Sequence, residues 1–361
     1  MDYLLTIILV VLSIFFRKSK VVATLFFLFM WSLWGWNSWN GDYDAYKFDY
    51  DNSDWFFDSN YELGYVYMLK AFSFIGFEFQ TYMICLSFLV LSSILAFCLK
   101  YSKYPAMYSM LYFIIFIMEF VFTRNFIVHS ILIFAFFLVF KKVKYYKIWF
   151  VLLIIVASTI HSTAFVSLIF TLSFYKPKFL NLKKIIPLIL ISLLASIFLF
   201  QSVVLQYLGG SYLSKYQSYK TDGGFSNVFF AHLIIVIIVY IFIQKLLKSK
   251  NITENHRRIF IIVSNLNVLS LFILCIYYQI PYFSRILRFI YTFDLVFLLH
   301  GLYLVKNNPV KFKLKIIFIA VYSSALILFY KSTLSLTLYP LYKCNIIWGQ
   351  EEYIPDFDYD K

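Results

Sequence analysis

Long apolar runs separated by short polar turns fill almost the whole chain. Twelve of these runs are long enough, or nearly so, to cross a bilayer, which takes about 20 residues of helix. They lie at 3–16, 21–36, 79–99, 105–122, 126–140, 148–160, 162–175, 185–203, 227–244, 259–278, 286–305 and 316–332. The pattern predicts an all-α polytopic membrane protein with about 12 transmembrane helices.

The composition supports the same class. The chain has 361 residues, of which 62% are hydrophobic and 14% charged, whereas soluble domains are about 45–50% apolar and about 25% charged. Neither a linker nor an internal repeat interrupts the pattern. We therefore expect one transmembrane domain over residues 1–332, followed by a Tyr-rich, acidic tail at 333–361.

Basic residues cluster in alternate loops between the predicted helices. Six clusters hold most of the 32 Lys and Arg residues, and they lie at 17–20, 100–103, 141–147, 176–184, 245–258 and 306–315. The positive-inside rule makes these loops cytoplasmic. The opposite loops and the tail then lie on the outer side of the membrane. The net charge of +14 is thus explained by the basic cytoplasmic loops, and no nucleic-acid partner is predicted.

The two long outer loops differ in character. The loop at 37–78 is acidic and aromatic in its first half. Its second half, from Glu62, is apolar but too short to span, which predicts a helix lying at the membrane interface. The loop at 204–226 carries paired glycines near both ends. That pattern fits either a movable flap or a plain flexible connection.

Charges at the ends of apolar helices are the first candidates for a site, because a charge near the membrane interior costs about 2.5–3.5 kcal/mol on insertion scales. Arg124 lies at an outer turn, and its planar fork suits diphosphate oxygens. A snorkelling interfacial Arg is the simpler alternative. Glu119, five residues earlier, is a candidate partner for Arg124, and His129 would lie deeper.

Arg285 and Arg288 form the strongest anion-site candidate. Their i, i+3 spacing places them on one helix face, and Pro281 is a plausible helix start. Both cations would then lie in the first two turns, on the outer side where topology does not require them. Asp294 follows six residues after Arg288, roughly 120° round the helix axis, and is a poor counter-ion.

His161 and two acids are candidates for proton transfer. His161 lies among small polar residues between two short spans, which suggests a helix break lining a cavity. Asp42 and Glu62 are outer-face acids, and a carboxylate can act as general base for a sugar hydroxyl. The alternatives are a packing histidine and a solvated acidic loop, so the base stays open among the three.

Aromatic side chains surround these acids, and Tyr46 and Tyr65 could stack on sugar rings or belong to an interfacial belt. Asp42 and Asp44 match a D-x-D pattern, but no histidine cluster accompanies them. The sequence therefore requires no metal. Glycine patterns for nucleotide binding are missing from the sequence, which predicts no cofactor.

The order of these motifs resembles a known family. It runs Gly41-Asp42-Tyr43 and Tyr46, Tyr61 to Tyr65, Arg124, His161 to Ala164, and Pro281 to Arg288. Over about residues 37–340 it resembles the EpsG/Wzy-type O-antigen and exopolysaccharide polymerases of bacteria. The chain departs from the family pattern at Asn125, where Gln is frequent, and at Leu63, where Pro is frequent.

The resemblance implies a GT-C-like membrane glycosyltransferase of the bacterial inner membrane, without a metal. It would join undecaprenyl-diphosphate-linked oligosaccharide units on the periplasmic face, surrounded by membrane lipids and assisted by a chain-length regulator protein. The resemblance implies diphosphate binding by Arg124, Arg285 and Arg288. It implies catalytic roles for Glu62, Asp42 and His161, and sugar binding by Tyr46 and Tyr65.

Two rival functions remain open at this level. A lipid-linked oligosaccharide flippase would also be polytopic and basic, but it would carry cations along a central path and usually show two related halves. An O-antigen ligase would use the same chemistry on a different acceptor.

Overall fold

The computed structural model supports the predicted class, since its regular structure is helical apart from one short hairpin. It describes residues 2–53, 62–175, 178–181, 227–248, 252–274, 285–304 and 335–350, with scattered residues between 186 and 194 and between 313 and 323.

The helices of the first half of the chain are α1 (Asp2–Phe15), α2 (Lys20–Gly35), α3 (Tyr43–Asp51), α4 (Leu63–Phe74), α5 (Phe79–Tyr101), α6 (Pro105–Ile115), α7 (Thr123–Lys141) and α8 (Tyr146–Ile160). Later helices are α9 (Leu172–Tyr175), α10 (Asn227–Leu247), α11 (Glu254–Ser270), α12 (Arg288–Leu304) and α13 (Ser335–Lys343). Strands β1 (Cys344–Asn345) and β2 (Gly349–Gln350) pair antiparallel. Short 3-10 helices cover Ile117–Phe120, Ser162–Thr171 and Leu271–Ile273.

Five helical stretches of the described residues are long and apolar enough to cross a membrane. They are Phe79–Tyr101, Thr123–Lys141, Phe229–Leu247, Glu254–Ile273 and Arg285–Leu304. Shorter apolar helices occupy five more of the predicted segments. The total of 12 and the GT-C-like architecture stay predictions, because 185–203 and 316–332 lie largely, and 204–226 entirely, outside the described residues.

The chain packs as two compact units that interleave along the sequence. The first comprises Met1–Ser130, Ser158–Ser162 and Tyr330–Lys361, and the second comprises Ile131–Ala157 and Thr163–Phe329. The single transmembrane domain expected over residues 1–332 stays a prediction.

The core of the first unit forms where α2 packs against α5 and α6. Lipid tails are as apolar as these side chains, so close packing, more than escape from water, holds the helices together. Phe26 is fully buried, and its ring lies 5.6 Å from that of Phe113. At Gly35 the backbones approach so closely that a Cβ would lie 2.8 Å from Oγ of Ser87.

The C-terminal end of α2 is capped by distant residues. The last carbonyls of a helix have no partner within it, and in an apolar setting each must find one elsewhere. The amide of Asn345 donates to the carbonyls of Ser32 and Leu33 at 3.1 and 2.9 Å. Gln80 donates to the carbonyl of Gly35 at 2.6 Å. The start of the tail is thereby fixed beside the start of the outer loop.

The second half of the outer loop forms α4, and the position of this helix at the membrane interface stays a prediction. One of its faces buries Tyr65, Val66 and Leu69, while Tyr67 and Phe74 are exposed. The first half of the loop contains α3. This helix is tied to the segment around α5 by two tyrosine hydroxyls, from Tyr43 to Gln80 and from Tyr50 to the carbonyl of Phe77.

In the second unit α10, α11 and α12 pack on one another around a ring of buried polar side chains. Asp294 accepts hydrogen bonds from Asn267 at 2.6 Å and from Tyr322 at 3.3 Å. His232 bridges Tyr291 at 2.6 Å and Ser270 at 2.9 Å. All six side chains are fully buried, and buried polar networks of this kind specify how helices pack.

Gly64 marks the tightest approach of α4 to the end of α8. A Cβ at this position would lie 2.7 Å from Cβ and 2.8 Å from the backbone oxygen of Thr159. Only glycine lets α4 lie this close to the residues before His161. This glycine therefore controls the distance between Glu62, two residues earlier, and the turn after α8.

We expect Gly64→Ala to lower the stability of the protein by about 1–3 kcal/mol, because the added methyl must displace the backbone at Thr159. Thermal unfolding in detergent, followed by differential scanning fluorimetry, measures the effect. Gly41→Ala is the matched control, since nothing lies within 4 Å of a Cβ there. Equal midpoints for the two variants would contradict the expectation.

Candidate functional site

Glu62 and Arg124 form an ion pair in the first unit. Nη1 of Arg124 lies 3.1 Å from Oε2 of Glu62, and the two side chains are 25% and 12% exposed. Glu62 is the N-cap residue of α4, but its carboxylate makes no cap hydrogen bond and is turned to other partners. Arg124 lies in the first turn of α7, where the helix dipole disfavours a cation. The carboxylate supplies the counter-charge that this position requires.

The second oxygen of the same carboxylate reaches the break after α8. Oε1 of Glu62 accepts hydrogen bonds from the backbone N–H and the hydroxyl of Ser162, at 3.2 and 3.0 Å. Nδ1 of His161 lies 3.5 Å from the same oxygen. The break predicted at His161 is confirmed, because α8 ends at Ile160 and a 3-10 helix begins at Ser162. Glu62 thus joins Arg124 and His161 into one cluster.

This environment sets the protonation state of Glu62. Burial acts to raise its pKa, but the hydrogen bond with His161, the charge of Arg124 and the N–H of Ser162 outweigh it. The pKa is lowered far below its ordinary range, so Glu62 is ionised at any physiological pH. A carboxylate with so low a pKa is a weak base.

Both tyrosines predicted to bind sugar lie beside Arg124. Its guanidinium carbon is 5.3 Å from the centre of the Tyr65 ring, a cation–π distance. Tyr46, on α3, shares a hydrogen bond with Arg124, and burial raises the pKa of its hydroxyl. Asp42, at the N-cap of α3, acts electrostatically on Tyr46. The structure therefore brings six predicted residues to one side of the first unit: Asp42, Tyr46, Glu62, Tyr65, Arg124 and His161.

Glu119, the candidate partner of Arg124 by sequence, forms a different ion pair in the structure. Oε2 of Glu119 instead lies 3.3 Å from Nδ1 of His129, and both side chains are buried. The 3-10 helix Ile117–Phe120 interrupts the path between α6 and α7. Arg124 consequently takes its partner from the outer loop, 62 residues away in sequence.

Arg285 and Arg288 belong to the second unit. A 3-10 turn at 285–287 leads into α12, so both cations lie in the first two turns, as predicted. Arg288 is buried and Arg285 half-buried. The suggested helix start at Pro281 lies outside the described residues. Asp294 accepts hydrogen bonds from Asn267 and Tyr322, which fits its predicted unsuitability as a counter-ion for Arg288.

Three residues that contribute to the site were not identified as functional from the sequence. They are the donor Ser162, the buried acid Asp49 and the buried hydroxyl of Tyr82. The serine had a signal, since the first N–H groups after a helix break need acceptors. No group of three or more His, Cys, Asp or Glu in the described part of the chain could hold a metal ion.

Glu62→Gln should lower stability by about 1–2 kcal/mol near pH 7, a charged hydrogen-bond value reduced for partial solvent access. The pKa of Glu62 is lowered on folding from about 4.5, so its contribution is complete above pH 4.5 and declines as the pH falls further. The difference in unfolding midpoint between wild type and variant should therefore shrink only below about pH 4.5.

The matched control is Asp51→Asn, which breaks the exposed Lys47–Asp51 pair of α3 at 3.2 Å. Exposed pairs contribute about 0–1 kcal/mol, so this variant should unfold close to the wild type. A Glu62→Gln midpoint that matches Asp51→Asn across the pH range would refute the buried role of Glu62.

Comparison with known proteins adds one finding to this geometry. No curated protein and no solved structure matches the chain significantly. The model of the EpsG family matches residues 20–344, which contain every residue of the cluster around Glu62. That family is a Wzy-type polymerase-like family, and the chain belongs to it.

Proposed function

We propose that the protein is a polysaccharide polymerase of the bacterial inner membrane. It joins undecaprenyl-diphosphate-linked oligosaccharide repeat units by glycosyl transfer on the periplasmic face. The observation that carries the proposal is the Glu62–Arg124–His161 cluster in a chain of the EpsG family. The proposal is supported because the cluster combines a guanidinium, which suits diphosphate oxygens, with an imidazole that faces a carboxylate.

The role of Glu62 follows from its low pKa. Its oxygens are occupied by Arg124, Ser162 and His161, so it orients these groups and removes no proton itself. An imidazole whose Nδ1–H faces a carboxylate presents Nε2 as the basic nitrogen. His161 is therefore the proposed general base, with Asp42 as the remaining alternative on α3.

In the proposed reaction, the base takes the proton of an acceptor hydroxyl as its oxygen bonds to the anomeric carbon of the donor sugar. The bond from that carbon to the diphosphate breaks, and the electron pair leaves with the diphosphate. Arg124 carries a planar guanidinium with five N–H donors, and it would stabilise the developing charge. Arg285 and Arg288 are further candidates for diphosphate binding by sequence.

Deletion of the gene tests the function itself. In a strain without the protein, single repeat units should still be displayed at the cell surface while long polysaccharide is lost on gels. Plasmid-borne wild type should restore the long polymer, and Arg124→Ala should fail to do so at equal membrane abundance. Loss of every displayed unit in the deletion would point to a flippase or a ligase and overturn the proposal.

Replacing the base tests the mechanism. His161→Gln should lower polymerisation by about 10²–10⁴-fold, the usual contribution of a general base. Purified protein and lipid-linked repeat units provide the assay. His256→Gln in the second unit is the control, and equal losses in the two variants would remove His161 from the mechanism.

A further inference from the structure

Two tyrosine hydroxyls near Arg124 are buried without a hydrogen-bond partner. Tyr65 is 1% and Tyr82 0% exposed, and neither hydroxyl has a partner in the part of the chain that the structure describes. Leaving a buried hydroxyl unsatisfied costs about 1–3 kcal/mol. Other buried hydroxyls of the described residues, such as those of Ser167 and Ser264, also lack a partner. The hydroxyls of Tyr65 and Tyr82 differ because they lie beside the candidate site, where a ligand supplies the missing bonds.

These hydroxyls belong to a cluster formed by three helices and the first turn of a fourth. Tyr46 and Asp49 come from α3, Tyr65 from α4 and Tyr82 from α5, and each tyrosine interacts electrostatically with Arg124. Asp49 is buried and acts on both Tyr65 and Tyr82. Burial raises the pKa of Tyr65 well above its ordinary value, so its hydroxyl stays a neutral donor.

The mixture of donors and acceptors decides the class of ligand. A diphosphate offers only acceptor oxygens, and among these tyrosines the buried carboxylate of Asp49 would repel it. A sugar ring offers hydroxyls that both donate and accept. It can donate to Asp49 while accepting from the tyrosines and from Arg124. The same carboxylate would disfavour a sugar that carries its own negative charge.

We propose that Tyr46, Asp49, Tyr65 and Tyr82 form a subsite beside Arg124 for an uncharged pyranose ring of the repeat unit. This subsite rests on the proposed polymerase function and specifies its substrate class as neutral sugar. The hydroxyls of Tyr65 and Tyr82 are buried in this structure, so α3 must move before a sugar reaches them. The hydrogen bonds of Tyr43 and Tyr50 hold α3 closed in the absence of sugar.

The test measures sugar binding to the full-length protein in lipid nanodiscs by saturation-transfer difference NMR. The probes are the methyl glycosides of glucose, galactose, mannose and N-acetylglucosamine, compared with methyl glucuronide. At least one neutral glycoside should give a signal, and methyl glucuronide should give about fivefold less. Absence of signal from every neutral glycoside, or an equal signal from the glucuronide, would overturn the proposal.

Tyr65→Phe and Tyr82→Phe separate a binding role from a structural one. Each removes a hydroxyl that has no partner, so each should unfold at the wild-type temperature or above it. Each should also weaken the neutral-sugar signal by about fivefold, the equivalent of one hydrogen bond. Tyr50→Phe is the control, because it deletes a 2.6 Å bond to Phe77. It should lower the unfolding temperature without weakening the sugar signal, because it frees α3 and removes no group of the subsite.

The results distinguish this subsite from the proposed function. A protein that binds neutral glycosides through Tyr65 and Tyr82 but makes no polymer would refute the polymerase and retain the subsite. A polymerase whose Tyr65→Phe and Tyr82→Phe variants bind and polymerise like the wild type would refute the subsite alone.

Discussion

The candidate site is organised by the need of one carboxylate, that of Glu62, for hydrogen-bond partners. Glu62 accepts hydrogen bonds from Arg124 and Ser162, and His161 faces it. A buried charge without such partners is prohibitively costly, so the start of α4, the first turn of α7 and the break after α8 must meet at this oxygen pair. Gly64 permits the approach by offering no Cβ to Thr159. Chemistry and packing in this region therefore share one constraint.

The sequence predicts the helices well because their apolar runs are long and their ends carry charges. It also predicts Glu62, Arg124 and His161, since each is a costly residue next to an apolar helix. It fails at the partner of Arg124, because a spacing of five residues made Glu119 the nearest acid. The true partner is 62 residues away, and a single sequence contains no signal for that contact.

The same limit hides the polar ring of the second unit. Asn267, Ser270 and His232 each read as isolated polar residues in apolar helices, although together they bridge three elements to Asp294 and Tyr291. The sequence does not distinguish Tyr82 from the other tyrosines among its 31. Only the structure shows that its hydroxyl is buried without a partner among the described residues. The chemical character of single residues could be predicted from the sequence, whereas contacts between residues far apart in the chain could not.

The cap on α2 has a consequence for the biogenesis of the protein. The carbonyl of Ser32 receives its partner from Asn345, which is synthesised 313 residues later. The second helix to enter the bilayer thus waits for nearly the entire chain before its end is complete. Until then the segment between α2 and α3 follows a helix end whose Ser32 and Leu33 carbonyls lack this donor. A ribosome that stops before Asn345 leaves a membrane-inserted chain whose outer loop lacks its anchor, a natural target for quality-control proteases.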